Sequence, residues 1–213
     1  MTTPRTARDI AGLGSWTSFS LLVQAGLAGA GVAVALSHGT DFIAASESYS
    51  LISLLQLLAF VAAGGLFLRW TYLATVNAHA FRAEGLRFGP WLAVGSYFIP
   101  IANLVMPLQS MRDTWKATVE PRDWEVVRVP AVLGLWWFLW LASNIAGIAA
   151  FRLSDAARYP DMGELAETLT MLSDGLTLGS SALLSTIVRR LSGLQQVRVD
   201  AIATGVTPTR PGG

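Results

Sequence analysis

The sequence contains no cysteine. That absence removes disulfides, thiolate metal sites, iron–sulfur clusters and cysteine nucleophiles at once. Charge is also scarce. Only 14% of the 213 residues are charged, against about 25% in an ordinary soluble domain. The net charge of +1 is too small to hold a nucleic-acid backbone. The two histidines, His38 and His79, stand on separate segments and read as lone solvated side chains, so a paired haem or metal site is not expected. No Gly-rich phosphate loop, His/Glu zinc motif, Ser–His–Asp arrangement or paired-carboxylate site can be placed. The expectation is therefore a chain that is not an enzyme and carries no cofactor.

What the sequence has instead is apolar length. Hydrophobic residues make up 53% of it, and the mean hydropathy is +0.49. A protein this apolar cannot cover itself with polar groups, so a lipid bilayer is the solvent that fits it. Four runs read as transmembrane helices: about 18–36, 50–68, 130–151 and 168–188. They form a single helical membrane domain over 18–197, preceded by a cytoplasmic segment 1–17 and followed by a disordered tail 198–213. The apolar run Leu21–Leu36 is long for a secretory signal. In it Ala25/Gly29, Gly26/Ala30 and Gly31/Ala35 recur at spacing four, a pattern that lets membrane helices approach closely. The acidic stretch 37–49 reads as a short exterior loop. The second span continues as a helix towards Gly85, with Trp70 and Tyr72 where an interfacial belt would sit.

The uncharged run 88–111 is long enough to cross, yet it contains Pro100, Asn103 and Pro107. An interior proline costs a helix about 3 kcal/mol. Irregular backbone survives at membrane depth only where protein or a cavity satisfies it. Charge gives an independent argument. If this run crosses, Lys and Arg divide evenly between the two faces. If it returns to the face it left, all but Arg152 and Arg158 of the fifteen basic residues share one face, as the positive-inside rule requires. The expected fold is thus an all-α integral membrane protein with four transmembrane helices and a proline-kinked re-entrant or interfacial segment. Both termini would be cytoplasmic. The alternative is five transmembrane helices. Asn103 is expected to bond carbonyls that the prolines free. The stretch 112–129 reads as a charged surface loop with a short amphipathic helix at 111–119.

Chemistry is sparse. On the last helix Thr170, Asp174, Thr177, Ser181, Ser185 and Arg189 follow at spacings of three or four and share a face. An acid in a span is expensive and points to a functional site or to helix packing. Trp136, Trp137 and Trp140 lie too deep for a belt and suggest helix contacts, with Asn144 nearby.

Several of these residues resemble a known family. Trp70 and Asn77, then Trp91, Phe98, Pro100, Asn103, Pro107, Met111 and Trp115, then Trp136, Trp137 and Asn144, are similar to the bacterial membrane family catalogued as domain of unknown function 4328. The F-x-P-x-x-N-L-x-x-P pattern with its flanking tryptophans carries the likeness, which covers about 50–196. It implies an uncharacterised multi-pass protein of the bacterial plasma membrane and supplies no activity. The function expected from the residues is an interaction or accessory subunit. Its partners would be the lipid bilayer, anionic lipid headgroups and a protein partner or second copy. The alternative is an oligomeric transporter or channel for a small solute or ion.

Overall fold

The computed structural model describes residues 7–38, 42–155 and 157–205, with the side chains of all except 38 and 42–49. The described residues are mostly helical. In chain order they form α1 (Ala11–His38), α2 (Phe42–Ala80), α3 (Pro90–Gly95), α4 (Met106–Val119), α5 (Ala131–Leu153) and α6 (Gly163–Thr204), with single 3-10 turns at Ala102–Leu104 and Trp124–Val126. Four of them, α1, α2, α5 and α6, are long and apolar enough to span a bilayer. The chain is an all-α membrane protein.

Burial shows why lipid suits it. Leu51, Leu54, Leu57, Leu58 and Val61 of α2 and Phe138, Ile145, Ile148 and Phe151 of α5 are exposed. Thr17, Gln24, Asn77, Ser143, Ser185 and Gln195 are buried. Large apolar patches facing outward over a polar interior are untenable in water.

The run 88–111 is broken at each proline. Pro90 starts α3 and Pro107 lies in the first turn of α4, where a missing N–H costs nothing. Pro100 lies in the turn between them. Ile101 has φ 68° and ψ −51°, and the N–H of Ala102 donates to the carbonyl of Pro100 at 2.8 Å. That is a γ-turn of the rare strained hand. The N–H of Asn103 donates to the carbonyl of Ile99 at 2.9 Å. The buried Oδ1 of Asn103 has no hydrogen-bond partner among the described residues. No helix of spanning length forms here.

Other boundaries differ from expectation. Helix α1 begins at Ala11, inside the segment read as 1–17, after Asp9 accepts the N–H of Ala11 at 2.8 Å. Helix α2 begins at Phe42, within the expected loop 37–49; residues 39–41 and the side chain of His38 lie outside the description. It ends at Ala80 rather than near Gly85, because Arg82 already adopts a left-handed φ of 64°. Helix α6 runs to Thr204, past the expected limit at 197, held by Arg198, which donates to the carbonyls of Thr118 and Val119. The rest of the expected tail, 206–213, lies outside the described residues.

The chain divides into two compact units. Unit 1 comprises Met1–Ser18, Gly64–Gly134 and Thr186–Gly213; unit 2 comprises Phe19–Ala63 and Leu135–Ser185.

Candidate functional sites

Unit 1 is organised around buried amides. Asn77, with no exposed surface, accepts the N–H of Arg8 at 2.8 Å through Oδ1 and donates to the Arg8 carbonyl at 2.8 Å. Its second amide hydrogen goes to Oε1 of Gln195 at 2.9 Å. Gln195, also fully buried, donates to the Ala74 carbonyl and to Thr118 Oγ1, both at 3.0 Å. All four amide hydrogens of this pair are therefore used. One turn away, Trp70 Nε1 donates to Ser192 Oγ at 2.8 Å. A Cβ at Gly14 would overlap that hydroxyl, so α1 can sit there only as glycine. Trp70, expected at an interfacial belt, is instead wholly buried. Tyr72 packs against Trp91 with ring centroids 4.8 Å apart.

The stretch expected to be a surface loop is anchored. Trp124 is buried, and its Nε1 donates to the Glu84 carbonyl at 2.8 Å. It packs with Ala78, Ala83 and Ala117. His79 is half-buried rather than solvated, with Nε2 3.0 Å from the Phe88 carbonyl. Trp115 and Pro107 are buried and Pro100 is exposed.

Between α4 and the start of α5 lies a cleft of about 320 Å³, lined by Arg87, Arg112, Asp113 and Lys116 over Pro130 and Gly134. Asp113 is buried and receives both Nε (2.9 Å) and Nη2 (2.7 Å) of Arg87. This fork holds the Arg87 pKa above its ordinary value, against the opposing effect of burial.

Unit 2 holds the acid. Asp174 is 8% exposed. A Cβ at Gly31 would overlap its Oδ2, and Gln56 Nε2 lies 3.0 Å from the same point. Gln56 also donates to the Leu27 carbonyl at 3.1 Å. Glycine at 31 is thus what lets the carboxylate reach α1 backbone. Gly29 faces Leu178 in the same way, at 3.1 Å, whereas Gly26 meets nothing. Of the expected polar strip, Asp174, Ser181 and Ser185 are buried, Thr170 and Thr177 half-buried, and Arg189 exposed. Trp137 is buried and stacks on Trp140 at 4.7 Å and 18°. Asn144 turns back on its own helix to the Trp140 carbonyl at 2.6 Å.

Among the sequence candidates, Asn77 and Trp70 share the unit 1 core. Pro100 and Asn103 belong to the γ-turn segment, and Asp174 forms a separate cluster in unit 2. Sequence reading gave no role to Gln195, Ser192, Gly14, Arg87, Asp113 or Trp124. Gln195 and Ser192 continue the period of the polar strip on α6, which is the one signal that could have found them.

Comparison with known proteins gives a family without an activity. The model of the domain of unknown function DUF4328 matches residues 33–193. No curated protein and no solved structure matches the chain significantly.

Proposed function

The chain belongs to the DUF4328 family, and we propose that it acts as a non-enzymatic interaction or accessory subunit of a bacterial plasma membrane, with its 88–105 segment dipping into the cytoplasmic leaflet. The observation that carries this reading is the surface of that segment. Trp91, Leu92, Phe98, Ile99, Ile101, Leu104 and Val105 are all exposed, Ile101 at 83%. The γ-turn holds an apolar tip outward, and basic residues border it at Arg87, Arg112 and Lys116. Such a tip fits acyl chains, and such flanks fit anionic headgroups. The unit 1 amides support the same reading, because their donors are committed to holding helices together. On this reading both termini lie in the cytoplasm, with nearly all Lys and Arg.

A nitroxide at Ile101 should be reached by oxygen and shielded from an aqueous nickel reagent in proteoliposomes. The reverse pattern would end the dipping reading. Pull-down from native membranes in mild detergent should return a partner; a clean chain that retains neither protein nor lipid would end the accessory reading.

The cluster of Asp174, Gly31 and Gln56 favours a second reading, an oligomeric transporter or channel. Ionisable groups inside spans commonly mark ion or solute paths. Proteoliposomes showing no flux with wild type, or equal flux with Asp174→Asn, would dispose of it.

A further inference from the structure

We infer that the cleft between α4 and the first turn of α5 binds the phosphate of an anionic lipid. The inference rests on the reading of this region as a bilayer-surface element and assigns it a specific ligand. Three cations line the cleft and a single carboxylate, Asp113, faces them. Both oxygens of that carboxylate are taken by Arg87. Arg112 is exposed and makes no hydrogen bond or ion pair with any described residue. Lys116 spends one of its three donors on the Glu125 carbonyl at 3.0 Å and lies 6.0 Å from the Trp124 ring centre. Among the described residues, these two positive charges have no ion-pair partner.

Their shapes suit a phosphate. Arg112 offers a planar fork and Lys116 a point charge, the pair that recognises phosphate oxygens. At Gly134 an added Cβ would meet Arg112 Nη2 at an ordinary contact distance of 3.5 Å, so a side chain that branches beyond it, such as valine, would reach into the space beside Arg112. The fork from the half-exposed Arg87 to the buried Asp113 ties the middle of α4 to the segment before α3, and Arg112 and Lys116, one turn apart on α4, project together. The floor, Pro130 and Ala131, is the start of a membrane-length apolar helix. That places the cleft at the level where lipid phosphates lie. A volume of about 320 Å³ holds a glycerophosphate group and not a whole lipid, so the acyl chains stay in the bilayer.

The test uses the full chain in mild detergent with equal amounts of phosphatidylglycerol and phosphatidylcholine, read by native mass spectrometry. Wild type should retain phosphatidylglycerol preferentially. Arg112→Gln with Lys116→Gln should lower that retention about tenfold or more, given roughly a fivefold effect for each basic residue at a membrane surface. Arg122→Gln with Arg190→Gln removes the same charge from exposed positions elsewhere and should leave it unchanged. Gly134→Val should lower retention with no change of charge, which covers the case of a misfolded double variant. Arg112→Lys should fall between. Equal loss in the control pair, or full retention in both the cleft pair and Gly134→Val, would overturn the site. Soluble glycerol phosphate competing as well as the lipid would overturn the lipid as ligand. If Ile101 reports acyl chains while the cleft variants change nothing, the site alone fails. If Ile101 reports water, the bilayer-surface reading fails with it.

Discussion

Replacing Gln195 with leucine keeps the volume of the side chain and deletes three hydrogen bonds. Two donors vanish, to the Ala74 carbonyl and Thr118 Oγ1, and so does the acceptor of one Asn77 hydrogen. The carbonyl and the hydroxyl lose little. Thr118 Oγ1 still donates to the Thr114 carbonyl at 2.8 Å. The second amide hydrogen of Asn77, in contrast, is left buried without a partner, at about 1–3 kcal/mol. The other two bonds contribute roughly 0.5–1.5 kcal/mol each, or about 0.6 each if membrane averages apply. Leucine returns part of this through apolar burial, so the net loss should be about 2–4 kcal/mol. Asn77→Leu should cost a similar amount, because it strands the N–H and carbonyl of Arg8. The sharper quantity is the cycle. Once Gln195 is gone, Asn77 has already lost one bond, so the double variant should fall short of the sum by about 1–2 kcal/mol. Unfolding by rising SDS fraction in mild detergent, followed by tryptophan fluorescence, measures all four corners. Additivity within about 0.5 kcal/mol would refute the shared network.

Gly31→Leu should separate α1 from Asp174 and destabilise the protein by about 1–3 kcal/mol through overpacking; Gly26→Leu, with open space around it, should be nearly silent in the same assay. Arg87→Gln leaves Asp113 buried without its ion pair. Its cost should be about 1–3 kcal/mol, below the full value for a buried pair because the Arg87 side chain is 53% exposed, and Asp113→Asn in the same chain should recover part of it. The raised Arg87 pKa means its contribution is complete below the ordinary arginine range and fades only as pH climbs through the still higher folded value. The gap between wild type and Arg87→Gln should therefore stay constant from neutral to mildly alkaline pH; a gap that closed there would show that the fork is not what stabilises. Ile101→Gly relieves a positive φ worth about 1–2 kcal/mol and frees the unfolded chain, so thermal stability should change little. A large loss would mean that Ile101 packs inside the protein.

The helices were legible because their signal is bulk hydropathy over many residues, which local detail does not alter. The run 88–111 was legible as irregular because two prolines cannot sit inside one helix. Its solution was not legible. A γ-turn on a β-branched residue has no sequence signature, so the turn at Ile101 could not be read from the residues. Trp70 shows the opposite limit. Tryptophan after arginine at a span end reads as a belt, and only the distant Ser192 makes burial of its N–H affordable. Gln195 and Asn77 lie far apart in sequence, and nothing local says that two amides will meet. Asp174 was visible as a costly acid, but the residue that makes room for it on α1 is a glycine, Gly31, known by what it leaves out.

The two units solve one problem by different means. Without a hydrophobic force between helices in lipid, contact must come from hydrogen bonds or from close backbone approach. Unit 1 uses amides whose donors are all spent. Unit 2 uses glycines against Leu139, Ser173 and Leu178, with gaps of 3.0–3.3 Å to an added Cβ. Close approach of that kind needs only small or apolar partners. At Gly31 the opposing group is instead the carboxylate of Asp174, a group that is expensive to place inside a span. Close approach accounts for the glycine but does not by itself require an acid. The Asp174→Asn variant isolates that difference, since it keeps the shape and removes the charge. If it is as stable as wild type yet alters flux or partner retention, the carboxylate is held for its chemistry. A more stable variant that changes neither would make the acid a tolerated burden of the helix contact.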